Sequence, residues 1–234
     1  MRRAKLGRQG LERQRGSLGS ATADPGAIGL SLFGFALFVY GIQFVVYAGA
    51  APGAATSSVA TIYAVLVAAI GETLAGILYL LRGQGYQISI LCAFGLWLFG
   101  LYVLLTLGAD NKAFAPEAVG WYAIALIVPV AFMAIPSVQH RNPPFILAFL
   151  ALIGLLLFLG MGFLSADLAA KPPVPPSANE LRVSGICAFV AAAALWYAAA
   201  RIVLAIGARP AEDHSAEAGP AGPHTPLSMP DSST

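Results

Sequence analysis

Charge is scarce in this sequence. Of its 234 residues only 10% are Asp, Glu, Lys or Arg, while 58% are hydrophobic. A soluble domain carries about 25% charged residues, so a water-soluble globular fold is excluded, and the mean hydropathy of +0.77 points to an integral membrane protein. Cysteine is nearly absent. Cys92 and Cys187 both lie in apolar runs, which implies no disulfide framework and leaves two small apolar fillers. Histidine is almost as rare: His140, His214 and His224 all lie outside the apolar runs or at their edge, so inward ligands for haem are missing. There is no Cys-x-x-Cys, His-Glu-x-x-His, Gly-x-Ser-x-Gly or Walker loop, and no apolar run holds two carboxylates. No enzyme, metal or cofactor is expected, and a basic tail this short gives no ground for nucleic-acid binding.

What the chain has instead is long stretches without charge. Residues 25–71, 83–109, 118–139, 142–166 and 183–200 contain no Asp, Glu, Lys or Arg. A spanning helix needs about 20 mostly apolar residues. The first stretch holds more than one span and is broken at "AGAAPGAATSS" (48–58), where Pro52, two glycines and a Thr-Ser-Ser cluster mark a turn. Six spans follow: 27–49, 59–81, 87–107, 119–139, 144–164 and 181–206. The runs are continuous rather than alternating, which selects helices over transmembrane strands. The fold class is an all-α membrane protein, a six-helix transmembrane bundle over 25–207. A basic tail precedes it (1–24) and a Pro-, Ala- and Ser-rich tail follows (208–234), both expected to be disordered.

The basic residues predict the orientation. Arg2, Arg3, Lys5, Arg8, Arg13 and Arg15 in the N-terminal tail fall on the same side as Arg82, Arg141, Arg201 and Arg209. Lys112, Lys171 and Arg182 fall on the other. Ten against three places both termini in the cytoplasm of a multi-pass cell-membrane protein. The tail lacks the apolar segment of a secretory signal peptide. It serves as a topology signal and is free to touch anionic lipid.

Glu72 stands inside the second span. A charge at the bilayer centre costs on the order of 2.5–3.5 kcal/mol on insertion scales, so the protonated form is the expected one. At helical spacing it shares a face with Ala68, Ala69, Ala75, Gly76 and Tyr79, whereas Leu66, Ile70, Leu74, Ile77 and Leu81 occupy the opposite face. Small residues permit close helix approach, so the Glu72 face belongs in the bundle interior. Two roles are open: a proton-binding or path-lining group, or a protonated structural group bonded to a neighbouring helix. Arg201 lies close enough to a helix end to snorkel, with pairing to Glu72 as the alternative. Pro129 and Pro136 interrupt the backbone bonding of span four; such a kink is passive or opens carbonyls to a polar cavity. His140 after it is expected to be solvated. Phe94 and Trp97 share a helix face deep in span three and are candidates for a constriction, with ordinary packing as the other reading.

Two blocks resemble the acetate uptake transporter family, the succinate–acetate permease group. That family opens its first span with Asn-Pro-Ala-Pro-Leu-Gly-Leu and then Phe-Gly. The stretch "DPGAIGLSLFG" (24–34) matches it without a gap at Pro25, Gly29, Leu30, Phe33 and Gly34, with Asp24 in place of the Asn. The second block, "AGILYLLRGQGYQISILCAFG" (75–95), matches at Ala75, Gly76, Gly83 and Gly95. In it Tyr86 stands for a Phe, Ser89 for a Thr and Phe94 for a Tyr. The departures are Tyr79 where the family has Glu, Gln84-Gly85 where it has Asn-Thr, and Glu72 where it has Gln. The resemblance implies hexamers, each protomer with its own narrow path for a small monocarboxylate, gated by aromatic and apolar side chains and linked to protons. Together with the reading of the residues, the expected path runs along Asp24, Pro25, Gly29, Leu30, Phe33, Glu72, Tyr86, Ser89, Phe94, Gly95 and Trp97, with Glu72, itself a departure from the family, as the candidate proton-coupling group. Because an ionised Glu72 repels a carboxylate, it must be neutral while the solute passes.

Two other readings compete. "FGLWLFGLYVLL" (94–105) and "AVGWYAIALIV" (118–128) resemble the urea and short-chain amide channels, which lack the Asp/Asn-Pro opening. The other is a non-transporting membrane protein, an assembly or sensory subunit, which a pronounced soluble partner domain would support; the six spans leave no room for one.

Overall fold

The computed structural model describes residues 24–47, 55–110, 116–167, 172 and 174–207. The basic tail expected before Asp24 and the tail expected over 208–234 lie outside the described residues. Among the described residues six helices make up the fold: α1 (Pro25–Tyr47), α2 (Ala55–Leu81), α3 (Gly85–Asp110), α4 (Pro116–Gln139), α5 (Pro143–Leu164) and α6 (Ala178–Gly207). All six are long and apolar enough to cross a membrane. The shortest, α5, has 22 residues; at 1.5 Å per residue that is about 33 Å, enough for a ~30 Å hydrocarbon core. Each expected span falls on one helix. The largest departure is the early start of α2 at Ala55; α3 runs on to Asp110, and α4 and α6 start early at Pro116 and Ala178. Among the described residues there is no strand; one pair of backbone bonds, 2.9 and 2.8 Å, joins Asp167 and Val174 between α5 and α6.

Local chemistry fixes the helix ends. Asp24 caps α1: its Oδ1 accepts from the Gly26 N–H at 3.0 Å, and Pro25 takes the first helical position, where no N–H is needed. At the end of α2, Gly83 takes φ +70°. The Gln84 N–H bonds back to the Tyr79 carbonyl and the Gly83 N–H to that of Leu80, a Schellman termination that glycine adopts without a Cβ clash. The same pair of bonds ends α4, from Asn142 to Ser137 and from Arg141 to Val138, yet there the left-handed position is Arg141 at φ 48°. Asn142 and Pro143 then start α5 at once.

Around the bundle the helices run in the order α4, α5, α6, α1, α2, α3, each packed on the next. The tightest approaches are at small residues. A Cβ on Gly41 of α1 would sit 3.0 Å from the Gly185 carbonyl oxygen of α6, and the reverse distance is the same. Ala188, Ala191 and Ala192 of the alanine-rich α6 are fully buried. Ser184 of α6 donates to the Leu155 carbonyl of α5 at 3.0 Å. The ring closes between α3 and α4 through side chains: the Tyr122 hydroxyl donates to the Trp97 carbonyl at 3.2 Å, and the Tyr86 hydroxyl to the Met133 carbonyl at 2.8 Å. The second bond reaches a carbonyl one residue past the turn that Pro136 opens, since Pro136 has no N–H for Phe132 and its ring spreads that turn.

Candidate functional site

Three cavities follow one another through the bundle. A vestibule of about 770 Å³ lies at the end formed by the start of α1, α3 and α5 and the end of α2, α4 and α6. Asp24, Tyr79, Tyr86, Gln87, Ser137, Gln139, His140 and Asn142 give it its polar lining. Leu30, Ile90, Leu91 and Phe145 are shared between the vestibule and a neck of only about 20 Å³. Phe33, Phe94 and Leu152 are shared in turn between the neck and a chamber of about 100 Å³, walled mostly by aliphatic and aromatic side chains, Tyr40 and Tyr122 among them. Arg82, Arg141 and Arg201 belong to the vestibule end: each is within three residues of a vestibule-lining side chain.

The neck is built from aromatic rings and one acid. Phe94 sits among three partners: Phe33 with ring centroids 5.1 Å apart, Trp97 at 5.3 Å and edge-on, and Phe149 at 6.3 Å. Such offset and edge contacts are the favoured aromatic geometries. Glu72 lines the neck beside them, 1% exposed, the largest of the fully buried side chains. Its Oε2 has no hydrogen-bond partner. The helix face expected inside is inside: Ala68, Ala69, Ala75 and Tyr79 are buried with Glu72, while Ile70, Leu74, Ile77 and Leu81 are 46–79% exposed.

Glycines bring α2 close enough to put Glu72 there. A Cβ on Gly29 of α1 would meet Ala75 at 3.0 Å. One on Gly95 of α3 would lie 3.0 Å from the Ala69 carbonyl oxygen and 2.8 Å from the Thr73 backbone nitrogen. The turn of α2 that carries Glu72 is therefore held from both sides by residues without side chains.

The residues singled out from sequence divide into two groups. Asp24, Leu30, Phe33, Glu72, Tyr86, Phe94 and Trp97 line the three cavities. Pro25, Gly29 and Gly95 do not; they start or pack helices. Ser89 is exposed and its hydroxyl is spent on the Gly85 carbonyl of its own helix at 3.0 Å, so it stays off this path. Arg201 is exposed and no ion pair joins it to Glu72. His140 does line the vestibule, as do Tyr79 and Ser137. Sequence reading missed the α5 wall, Phe145, Ala148, Phe149 and Leu152, because nothing in a uniformly apolar run separates wall from packing. Tyr79 carried a signal that went unused. Its hydroxyl donates to the Asp24 carboxylate, so two of the departures from the family pattern touch each other.

Comparison with known proteins agrees with this architecture. The bacterial acetate channel SatP superposes with a TM-score of 0.65 at 19% identity, over 78% of this chain and 93% of that one. AmiS2 of Rhodococcus erythropolis, provisionally named a transporter protein, is 29% identical over 120 residues, 51% of this chain. The match spans about half the length of that curated relative, 54%. The model of the GPR1/FUN34/yaaH family matches residues 16–208. With so much of the described bundle inside that match, the chain belongs to the GPR1/FUN34/yaaH family.

Proposed function

We propose that this protein is a membrane channel or transporter for small monocarboxylates such as acetate, with the vestibule, neck and chamber as its path. The observation that carries the reading is the succession of the three cavities, narrowest where the aromatic rings and Glu72 meet. A small solute with one polar head and a short tail fits this sequence of polar, narrow and apolar spaces. Three arginines at the vestibule end raise the local concentration of an anion there, a steering effect that salt weakens. The likeness to a bacterial acetate channel supports the same substrate class.

Passage requires a neutral Glu72, since a carboxylate beside an ionised one is strongly disfavoured in an apolar neck. The Lys/Arg distribution supports a cell-membrane location with the vestibule facing the cytoplasm. The family resemblance supports a homo-oligomer, a hexamer with one path per protomer.

Labelled acetate uptake into proteoliposomes, with and without an inward acid gradient, tests the reading. Uptake above that of protein-free vesicles, raised by the gradient and competed by propionate, is the expected result. Absence of carboxylate uptake, with swelling driven by urea or acetamide, would move the protein to the amide-channel class.

A further inference from the structure

Glu72 brings to the neck a hydrogen-bonding capacity that no protein group uses. Its Oε2 is buried without a partner, and its companions around the cavity are hydrocarbon: Leu30 and Phe33 of α1, Leu91 and Phe94 of α3, Phe149 of α5 and Leu195 of α6. No Lys, Arg, His, Asp or second Glu from these helices lines the neck. On its own helix, Thr73 turns its hydroxyl back to the Ala69 carbonyl at 2.8 Å, and Tyr79, two turns away, donates to Asp24. A lone carboxylate with neither counter-ion nor donors is among the least tolerated of buried groups. Glu72 therefore stands in the neck as a neutral acid. A neutral carboxyl offers one O–H donor and one carbonyl acceptor side by side. The complementary head is planar and carries the same pair reversed, as a second undissociated carboxyl does through two O–H···O bonds.

Resting on the path reading above, we propose that Glu72 is the specificity-determining residue of the neck, pairing with the undissociated carboxyl of a monocarboxylic acid so that the solute crosses uncharged. The anion takes up a proton in the vestibule, passes Glu72 as the acid with its tail in the apolar chamber, and releases that proton on the far side. The proton on Glu72 stays where it is. One carboxylate and one proton move together and no net charge crosses. A dicarboxylate would leave its second head group in a chamber walled mostly by hydrocarbon and aromatic rings, so succinate is disfavoured against acetate. A primary amide has the same donor–acceptor head, which makes acetamide the informative second solute.

The test uses the full chain in proteoliposomes and planar bilayers, as wild type, Glu72→Gln and Glu72→Leu, each checked for a monodisperse, helical preparation. Gln keeps a donor and an acceptor; Leu keeps neither. Acetate flux above protein-free vesicles is expected to stay within about threefold in Glu72→Gln, with its pH dependence kept, and to fall at least tenfold in Glu72→Leu. Succinate flux is expected at least tenfold below acetate, and an acetate gradient is expected to drive no current. A current reversing at the acetate equilibrium potential would overturn the inference while leaving the transport reading intact. So would a folded Glu72→Gln without flux, or a Glu72→Leu with full flux. If Glu72→Leu does not fold, the current and the Glu72→Gln profile decide. No acetate flux in wild type would overturn the carboxylate reading. Acetamide flux kept in Glu72→Gln and lost in Glu72→Leu would then assign the neck to an amide head, and silence for both solutes would overturn both.

Discussion

The Tyr79 hydroxyl donates to the Asp24 carboxylate, the same oxygen that caps α1. One contact thus ties the end of α2 to the start of α1 at the vestibule wall. Tyr79→Phe removes the bond and leaves the cap; Asp24→Ala removes both. We expect losses of about 1 kcal/mol for the first and about 1–2 kcal/mol for the second. Because both changes share one bond, the double variant is expected to cost less than their sum. Thermal unfolding of the four proteins in detergent measures the cycle. Full additivity would show that the two side chains act independently.

Phe94 touches Phe33, Trp97 and Phe149 and lines both neck and chamber. Phe94→Ala is expected to widen the neck, raise acetate flux and admit longer acids such as butyrate. The same change destabilises the bundle by about 3–5 kcal/mol, the usual cost of a large aromatic truncation. Relative uptake of acetate and butyrate gives the answer. Unchanged selectivity would place the narrowest point elsewhere.

Gly95 has no room for a side chain against Thr73 and Ala69. Gly95→Val is expected to push α3 off the turn of α2 that bears Glu72, costing about 1–3 kcal/mol in strain and most of the transport. Gly85, with nothing near its absent side chain, is the control: Gly85→Ala should leave transport and folding unchanged. Size-exclusion profiles and uptake, taken together, distinguish misfolding from a displaced neck.

Arg141 occupies a left-handed turn that costs a non-glycine residue on the order of 1–2 kcal/mol. Arg141→Gly relieves it. If the turn is only structural, stability rises by up to about 1 kcal/mol and acetate uptake is unchanged. If the vestibule uses the charge, uptake falls and loses part of its salt dependence.

The bundle was legible because hydrocarbon run length is a local property of the chain. Glu72 was legible as an interior residue for the same reason: Ala68, Ala69 and Ala75 mark its face within one helix. Partners across helices were not. Nothing in the sequence around Ser89 says that its hydroxyl folds back on Gly85, and nothing around Phe149 says that it faces Phe94 from a helix some fifty residues on. The Tyr79–Asp24 bond shows the same limit at a separation of 55 residues. Each of the two departures is visible alone, and only the fold brings them together.

The central claim is that solute passes through the neck. Ala148 lines that neck, is 2% exposed, and borders only about 20 Å³ of free space, so Ala148→Leu fills it. The most direct measurement is labelled acetate uptake into proteoliposomes carrying wild type or Ala148→Leu, both confirmed as folded. Uptake well above protein-free vesicles in wild type, reduced to the protein-free level in Ala148→Leu, is the predicted result. Equal uptake by the two proteins, or none by wild type, would contradict it.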